Sequence, residues 1–182
     1  VGLFMKFLIA SDIHGSAYYT QKIIDLASNE QVDKIVLLGD IFNHGPRNPL
    51  PKDYAPLKVA DALNAIKDKL IVIKGNCDSE VDTLISEFDF LPHLLITVAD
   101  KTVFLTHGHV YNKDAMPKFN VDAIIYGHFH TGFIEKQNGY YVANAGSVSL
   151  PKNDTPSSYI ILSNEEFTLK DIDGNVIKSV KL

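Results

Sequence analysis

Short apolar runs, each followed by a turn that carries an acidic, amide or histidine side chain, limit the possible folds of this chain more than any other feature. Four of these runs predict buried strands, because they are only four or five residues long and almost entirely apolar. They span 6–10, 34–38, 70–73 and 123–126. Amphipathic segments separate the first three, so this part should form parallel strands with helical crossovers.

The spacing of apolar residues predicts three helices, the first of which Ser16 should cap. They cover 19–28, 57–67 and 80–88. Later segments predict a hairpin of 94–98 with 102–105 and further strands over 140–143, 158–162, 166–172 and 176–180. We therefore expect one α/β domain over residues 1–182, with two sheets flanked by helices. Residues 1–4 are interpreted as an alternative start or an expression remnant.

The composition excludes several classes of protein. With 182 residues, 46% of them apolar and 21% charged, the chain is neither a disordered tail, a coiled coil nor a collagen-like repeat. Its net charge of −5 argues against a surface for nonspecific nucleic-acid or membrane binding. Cys77 is the only cysteine, which predicts a reducing, cytoplasmic location. No apolar run approaches the roughly 18 residues that span a bilayer.

Side chains of the kinds that bind metals follow every strong strand as far as residue 126. In open α/β sheets, sites form at the carboxyl ends of the strands, so these side chains should converge. Asp12 and His14 are one residue apart and can bind one ion together, and His128 and His130 repeat that spacing. The whole series is Asp12-x-His14, Gly39-Asp40, Gly75-Asn76-Cys77-Asp78, Thr106-His107-Gly108-His109 and Gly127-His128-x-His130.

Carboxylate and imidazole ligands suit manganese, iron, zinc or nickel, whereas a structural zinc site would favour a thiolate cage. Each motif alone has an ordinary explanation: Asp-x-His as a loop cap beside a surface histidine, and Gly-Asn-x-Asp as a turn. Four of the seven histidines, however, are candidate ligands in these loops. The joint occurrence at successive strand ends therefore favours a site for divalent cations.

The same ordered series of motifs resembles that of the calcineurin-like metallophosphoesterases. The short chain is similar to their small bacterial phosphodiesterase branch, and the stretches 43–48 and 144–147 resemble its YfcE type. The resemblance extends from Met5 onward and implies a four-layer αββα sandwich, in which two mixed β-sheets are flanked by helices. It also implies two divalent metal ions, with manganese preferred and iron, zinc or nickel as alternatives.

The resemblance also assigns metal ligands, three to each ion and one to both. The first ion would take Asp12, His14 and His130, the second Asn76, His107 and His128, and Asp40 would bridge them. The chain departs from the family pattern at Cys77, where many relatives have a histidine thought to protonate the leaving group.

A centre of two metal ions roughly 3.5–4 Å apart can hold a hydroxide and stabilise an in-line phosphoryl displacement. Two divalent ions, two carboxylates and one hydroxide leave roughly one net positive charge at the site. That charge suits a phosphodiester monoanion. We therefore predict a metal-dependent phosphodiesterase, with catalytic residues Asp40, Asn76, Cys77, Asp78 and His109.

Several of these residues have alternative roles. Cys77 should face the site without acting as an acid, because cations favour its thiolate, so the enzyme should prefer good leaving groups; a buried filler is the alternative. Asp78 should either orient a ligand histidine or only shape its turn. His109 should contact substrate or simply pack. Arg47 and His44 could reach a phosphate oxygen from their proline-rich loop.

Two other functions stay open at this point. A phosphomonoesterase acting on nucleotides or phosphoproteins would need further cationic groups, for which Arg47 is the only obvious candidate. A protein-interaction scaffold, as in relatives of the retromer coat, would favour eroded ligands, and none is eroded. The expected partner is a small phosphodiester, without stable nucleic-acid or membrane binding, and a homo-oligomer stays open.

Overall fold

Two β-sheets packed face to face form the centre of the protein in a computed structural model, which describes residues 5–164 and 166–182. The interpretation of residues 1–4 concerns a segment outside the described residues. The strands are β1 (Lys6–Ala10), β2 (Lys34–Leu37), β3 (Leu70–Ile73), β4 (Phe90–Leu91), β5 (Leu94–Val98), β6 (Lys101–Leu105), β7 (Ala123–Tyr126), β8 (Phe133–Gln137), β9 (Tyr140–Asn144), β10 (Ser158–Ser163), β11 (Glu166–Asp171) and β12 (Val176–Lys181). The helices are α1 (Ala17–Asn29) and α2 (Pro56–Asn64), with 3-10 helices at Lys67–Lys69 and Glu80–Leu84.

The strand order brings the ends of the parallel strands together in each sheet. The first sheet has the order β12-β11-β10-β1-β2-β3-β4, in which β1 to β4 are parallel and β10 to β12 pair antiparallel. The second has the order β5-β6-β7-β9-β8, with β6, β7 and β9 parallel. The carboxyl ends of β1, β2 and β3 therefore lie side by side, and so do those of β6, β7 and β9. Such edges are where open α/β sheets form their sites.

Alternate residues of β1 face two different cores, because successive side chains of a strand point to opposite faces of the sheet. Phe7 and Ile9 pack between the two sheets. Leu8 and Ala10 pack beneath α1 and α2, which cover the same face of the first sheet. The strand is thus buried on both faces, which explains why its sequence is apolar throughout after Lys6.

The outer face of the second sheet is covered by a loop. Phe104 and Tyr126 of this face pack with Tyr111 and Met116. The latter two lie in the segment 106–122, a fully described connection that contains no helix. The layers therefore run from helices through the two sheets to this loop. The predicted α/β class with two mixed sheets is confirmed, and both helices lie on the first sheet.

The beginning of α1 agrees with its prediction. The Ser16 hydroxyl accepts a hydrogen bond from the backbone N–H of Tyr19, so it satisfies one of the free donors at the helix start.

Two strands have no counterpart among the predicted elements, because β4 has only two residues and β8 carries the exposed Glu135 and Lys136. None of the described helices is both long and apolar enough to cross a membrane.

The helix predicted over 80–88 is wrong in length and type. Only Glu80–Leu84 is helical, and it is a 3-10 helix. The Asn64 side chain donates to the backbone oxygen of Ile85 and accepts from the backbone N–H of Glu87, each at a heavy-atom distance within 2.8–2.9 Å. Because these backbone groups are held by a side chain from α2, they are not available to continue the helix.

Glu30 ties the end of α1 to two strands of the first sheet. Its carboxylate accepts hydrogen bonds from Lys6, with 3.0 Å between Nζ and Oε2, and from Lys170 of β11. Lys6 also donates to the backbone oxygen of Glu30 at 2.6 Å. Burial alone would raise the pKa of Glu30, but the two lysines outweigh it and hold that pKa below its ordinary value. The folded state therefore favours the ionised carboxylate.

We expect Glu30→Gln to lower the free energy of unfolding by about 1 kcal/mol near neutral pH, because the charge held by two lysines is lost. Since the folded-state pKa is depressed, this contribution is present above the unfolded pKa of about 4.3 and disappears as pH falls through the folded pKa. Urea denaturation at neutral and acidic pH measures both effects. Glu87→Gln, which alters an exposed pair with Lys67, is the control and should leave stability unchanged. If the free energies of unfolding of Glu30→Gln and the parent differed by the same amount at neutral and acidic pH, the argument would be contradicted.

Candidate metal centre

Five of the seven predicted metal ligands have a left-handed backbone conformation. Their φ angles are 57° for Asp12, 51° for His14, 56° for Asp40, 64° for His128 and 59° for His130. Positive φ is uncommon outside glycine, and such residues concentrate at functional sites, where the surrounding structure holds them in place. All five lie in the turns that directly follow β1, β2 or β7.

Asp12, His14 and His130 form the first ligand group. The Nε2 atoms of His14 and His130 are 3.1 Å apart. Asp12 Oδ1 lies 3.6 Å from Nε2 of His14 and 3.2 Å from Nε2 of His130. All three side chains are buried, and their atoms are close enough together for a single ion to contact all of them.

Asp40, Asn76, His107 and His128 form the second ligand group. His107 Nε2 is 3.5 Å from Asp40 Oδ1, 3.0 Å from Asn76 Oδ1 and 3.2 Å from His128 Nδ1. The other carboxylate oxygen of Asp40, Oδ2, lies 3.7 Å from Nε2 of His14 in the first group. Asp40 therefore presents one oxygen to each group.

Backbone carbonyls orient three of the candidate histidine ligands. In each ring, Nδ1 lies 2.6–2.7 Å from a backbone oxygen. This contact assigns the proton to Nδ1 and leaves the lone pair of Nε2 facing the centre, an arrangement typical of metal-binding histidines. The pairs are His14 with Asn43, His107 with Leu38, and His130 with Leu150.

The atoms that face the centre fit divalent cations. Asp12 Oδ1 is buried and accepts no hydrogen bond in the described part of the chain. Its partner Oδ2 accepts from the Ser11 hydroxyl at 2.6 Å and from the N–H of His128 at 2.8 Å. Two unprotonated Nε2 atoms 3.1 Å apart, as in His14 and His130, repel each other through their lone pairs unless a cation lies between them. The donor set therefore suits a bound metal ion.

Neighbouring charges control the titration of the first ligand group. Burial alone would raise the pKa of Asp12, but its contacts with His130 and His14 outweigh it and hold that pKa well below its ordinary value. Burial would likewise lower the pKa of His14, but the contact with Asp12 raises it. Asp12 therefore stays ionised inside the protein, as a ligand of a cation must.

Asp78 links the ends of β2 and β3 through their backbones. Its Oδ2 accepts hydrogen bonds from the N–H groups of Asp40 at 2.8 Å and Gly75 at 2.7 Å, and its Oδ1 accepts from Ile41 at 2.8 Å. Burial raises the pKa of Asp78 to about 6, against the lowering effect of these donors. None of the described hydrogen bonds of Asp78 reaches a candidate ligand histidine, so these contacts favour the alternative in which Asp78 shapes its turn. Its carboxylate is instead taken up by the turn that carries Asp40.

Cys77 lies beside the second ligand group. Its backbone N–H donates to Asp40 Oδ1 at 2.8 Å, and its sulfur accepts from Asn76 Nδ2 at 3.4 Å. Burial and then the charge of Asp40 raise the pKa of the thiol to about 12. The side chain is half-buried and lines the cleft above the ligand groups, so it does face the site.

A cleft of about 730 Å³ opens over the two ligand groups. Arg47 and Cys77 line it, as expected from the sequence. Phe129 and Lys152 also line it, and no sequence motif assigns either of them to the site. Phe129 could have been found from its place between two candidate histidine ligands, whereas Lys152 lies in an exposed turn that carries no motif.

His109 lines a second cavity of about 550 Å³, which shares Asn76 with the cleft, so the two cavities adjoin the second ligand group. The ring centroid of His109 is 5.3 Å from that of His107, and burial lowers the pKa of His109. His44 lines neither cavity. Its ring packs edge-on against Tyr54, with 5.4 Å between centroids, so the structure does not bring His44 into the cleft.

Two strand-end glycines let the backbone approach the ligand carboxylates. A Cβ on Gly75 would lie 2.2 Å from Asp40 Oδ1. One on Gly127 would lie 1.9 Å from Ser11 Oγ and 2.5 Å from Asp12 Oδ2. These distances are far below van der Waals contact, so any side chain at either glycine would displace a ligand.

The family model described as the Calcineurin-like phosphoesterase superfamily domain matches residues 5–166. The chain belongs to this superfamily. Membership confirms the family indicated by the motifs and the prediction that the chain is a phosphoesterase enzyme.

Known proteins also match this chain over nearly its whole length. The phosphoesterase is similar to phosphodiesterase YfcE of Escherichia coli strain K12, with 40% identity over 181 residues and 98% of each chain covered. The solved structure of YfcE, a phosphoesterase from E. coli, has a TM-score of 0.93 at 39% identity and covers 97% of this chain and 99% of its own. Vacuolar protein sorting 29 of Cryptosporidium parvum has a TM-score of 0.66 at 15% identity, covers 100% of both chains and shares the fold alone.

In this phosphoesterase we expect Gly75→Ala to weaken the binding of divalent cations by at least about ten-fold, because the added methyl group displaces Asp40. Calorimetric titration with Mn²⁺ measures the affinity, and circular dichroism checks the fold. Gly139→Ala, in the turn between β8 and β9, is the control: its φ of 90° strains an alanine locally, but no atom lies within 4 Å of its Cβ, so no candidate ligand moves and the affinity should not change. An unchanged affinity in folded Gly75→Ala protein would refute the contact argument.

Proposed function

We propose that this phosphoesterase hydrolyses phosphodiesters at a centre of two divalent cations, with manganese preferred over iron, zinc or nickel. The observation that carries the proposal is the position of Asp40. Its two oxygens face separate ligand groups, 3.5 Å from His107 and 3.7 Å from His14. The similar E. coli protein bears the name phosphodiesterase, and we extend that activity to this chain.

Each ligand group would hold one cation, and Asp40 would contact both. The first cation would take Asp12, His14 and His130, and the second Asn76, His107 and His128. Divalent cations, when bound, supply Lewis acidity and a source of hydroxide near neutral pH. The chain contributes rigidity, because backbone carbonyls fix three of the histidine rings. A fixed set of ligands stabilises developing charge without having to rearrange during the reaction.

The two cavities beside Asn76 favour a diester over a monoester. A phosphodiester carries two organic groups, whereas a monoester carries one. The cleft of about 730 Å³ and the cavity of about 550 Å³ both include Asn76, so a phosphate held at the second ligand group has space on two sides. In this arrangement His109, in the smaller cavity, contacts one of the two organic groups.

Cys77 supports a preference for good leaving groups. It occupies the position next to Asn76, and its sulfur accepts a hydrogen bond from that side chain. A thiol is a weak hydrogen-bond donor, so it is a poor source of the proton that an alkoxide needs when it departs. An aryl oxide departs without that proton, and aryl esters should therefore be the better substrates.

We expect Asp40→Asn to lower kcat/KM for bis(p-nitrophenyl) phosphate by at least about a hundred-fold, because it weakens both cation sites together. Release of p-nitrophenolate with Mn²⁺ present measures the rate, and elemental analysis measures bound metal. Asp100→Asn, in the exposed turn between β5 and β6, is the matched control and should retain full activity. Removing metal with a chelator should abolish activity in the parent, and Mn²⁺ should restore it. Equal activity of stripped and loaded protein would overturn the proposal.

Cys77→His should raise the rate on alkyl phosphodiesters relative to aryl ones by about ten-fold or more, because an imidazolium can donate the missing proton. The measurement is the ratio of the kcat/KM values for two phosphodiesters. They share one ester group and differ in the leaving group, which is alkyl in one and aryl in the other. Cys77→Ala, which removes the thiol without adding an acid, is the control and should leave the ratio unchanged. An unchanged ratio of alkyl to aryl kcat/KM in Cys77→His would show that the lack of a proton donor at residue 77 does not limit the rate on alkyl esters.

The other expectations from the sequence have less support. The argument for a scaffold function is the fold shared with vacuolar protein sorting 29. A scaffold would not require the seven candidate ligand side chains, all of which this chain has. A cytoplasmic location rests on the single cysteine, and a homo-oligomer rests on the exposed edge strand β12. Both stay predictions.

A further inference from the structure

Apart from the metal ligands, the charged side chains lining the large cleft are both cationic. They are Arg47, from the loop after β2, and Lys152, from the segment after β9. The acidic member of the lining is Asp40, whose oxygens face the two ligand groups. Because the whole chain has a net charge of −5, this pair of cations is a local feature. Such a wall attracts a substrate arm that carries negative charge of its own.

Each of the two loops makes a hydrogen bond to a histidine of the first ligand group, at Lys152 itself in one loop and at Asn43, four residues before Arg47, in the other. On the side of Arg47, the backbone oxygen of Asn43 accepts from His14 Nδ1 at 2.7 Å. On the other side, the backbone N–H of Lys152 donates to the backbone oxygen of His130 at 2.9 Å. These hydrogen bonds hold both loops in place relative to the ligand groups. The long side chains of Arg47 and Lys152 therefore extend from backbone segments of fixed position.

Phe129 adds an apolar ring to the same cleft. It lies between His128 and His130 in sequence and is 47% exposed, although it is a large apolar residue. Its ring centroid is 5.0 Å from that of His128 at an interplanar angle of 80°, so the ring is held against a metal-ligand candidate. An exposed aromatic ring held in a ligand cleft is a stacking surface for flat heterocycles.

We propose that the cleft binds a nucleotide-like arm of the phosphodiester. A second phosphate of the substrate lies between Arg47 and Lys152, and its heterocyclic base stacks on Phe129. This inference rests on the proposed function and names its substrate class: phosphodiesters of nucleotides that carry a further phosphate. A plain alkyl or aryl diester would leave both cations and the ring unused.

The test compares two esters with the same leaving group. One is thymidine 3′-(p-nitrophenyl phosphate), and the other carries an additional 5′-phosphate. With the Mn²⁺-loaded full chain, kcat/KM should be about ten-fold higher for the 5′-phosphorylated ester, because charge-assisted hydrogen bonds to phosphate are strong. Methyl p-nitrophenyl phosphate, which lacks the nucleoside, measures the contribution of the base.

Matched variants assign each contact. Lys152→Met removes a charge with little change in length, and Arg47→Met removes the guanidinium and keeps an unbranched apolar stem. Each should reduce the preference for the 5′-phosphate several-fold. Lys178→Met, on the exposed strand β12, should preserve it. Phe129→Ala should reduce the preference for the nucleoside ester over the methyl ester, whereas Phe119→Ala, equally exposed at 47%, should not.

Equilibrium binding gives a readout that does not depend on turnover. Calorimetric titration with thymidine 3′,5′-bisphosphate should give a Kd about ten-fold higher for Lys152→Met than for the parent. Titration with thymidine 3′-phosphate should show little difference between the two proteins. Equal affinities of the parent and Lys152→Met for the bisphosphate would overturn the inference.

Hydrolysis of bis(p-nitrophenyl) phosphate separates the two proposals. If the parent cleaves it but has no preference for the 5′-phosphate, or if both cation variants keep that preference, the inference about the nucleotide arm is wrong and the phosphodiesterase proposal stands. If the variants impair only the monoester p-nitrophenyl phosphate, the cations serve the reacting phosphate, which also overturns the inference. Failure to cleave any diester would overturn both proposals.

Discussion

Asp12 joins the two sheets at the edge where the candidate metal centre lies. It follows β1 of the first sheet, yet its Oδ2 accepts from the backbone N–H of His128, which follows β7 of the second sheet, at 2.8 Å. Its backbone oxygen accepts from the hydroxyls of Ser147 and Ser149 at 2.8 and 2.9 Å. Buried polar groups satisfied in this way fix the relative position of the elements that carry them. The remaining carboxylate oxygen, Oδ1, faces the other members of the first ligand group. The hydrogen bonds that hold the two sheets together therefore also orient the Asp12 side chain.

The convergence of the ligand residues follows from local features of the sequence. Short apolar runs predict strands buried on both faces, and a glycine beside Asp40 or His128 marks the point where each strand turns. Parallel pairing then brings these turns to one edge. The orientation of Asp40 is less accessible from the sequence. It depends on the carboxylate of Asp78, which holds the backbone N–H of Asp40 from a different strand end.

Features that depend on contacts distant in sequence are not predictable in this way. The helix expected after β3 stops early because Asn64, from α2, takes its backbone groups. Lys152 looks like an ordinary exposed loop residue until its backbone is seen bonded to His130. His44 is the opposite case, because its loop borders the cleft while its ring packs against Tyr54. Sequence spacing locates a loop, but the direction of each side chain depends on what it packs against.

The rings of His14 and His130 connect the metal-facing side of the centre to the walls of the cleft. Each has Nε2 toward the centre and Nδ1 bonded to a loop carbonyl, that of Asn43 or Leu150. Coordination at Nε2 would withdraw electron density from the ring and make the opposite N–H a stronger donor, so a bound cation would hold the loops more firmly. Thermodynamic reciprocity then requires that a ligand which orders the loops raises the affinity for the cation by the same factor. Under the proposed function, metal occupancy and substrate capture would therefore be coupled equilibria.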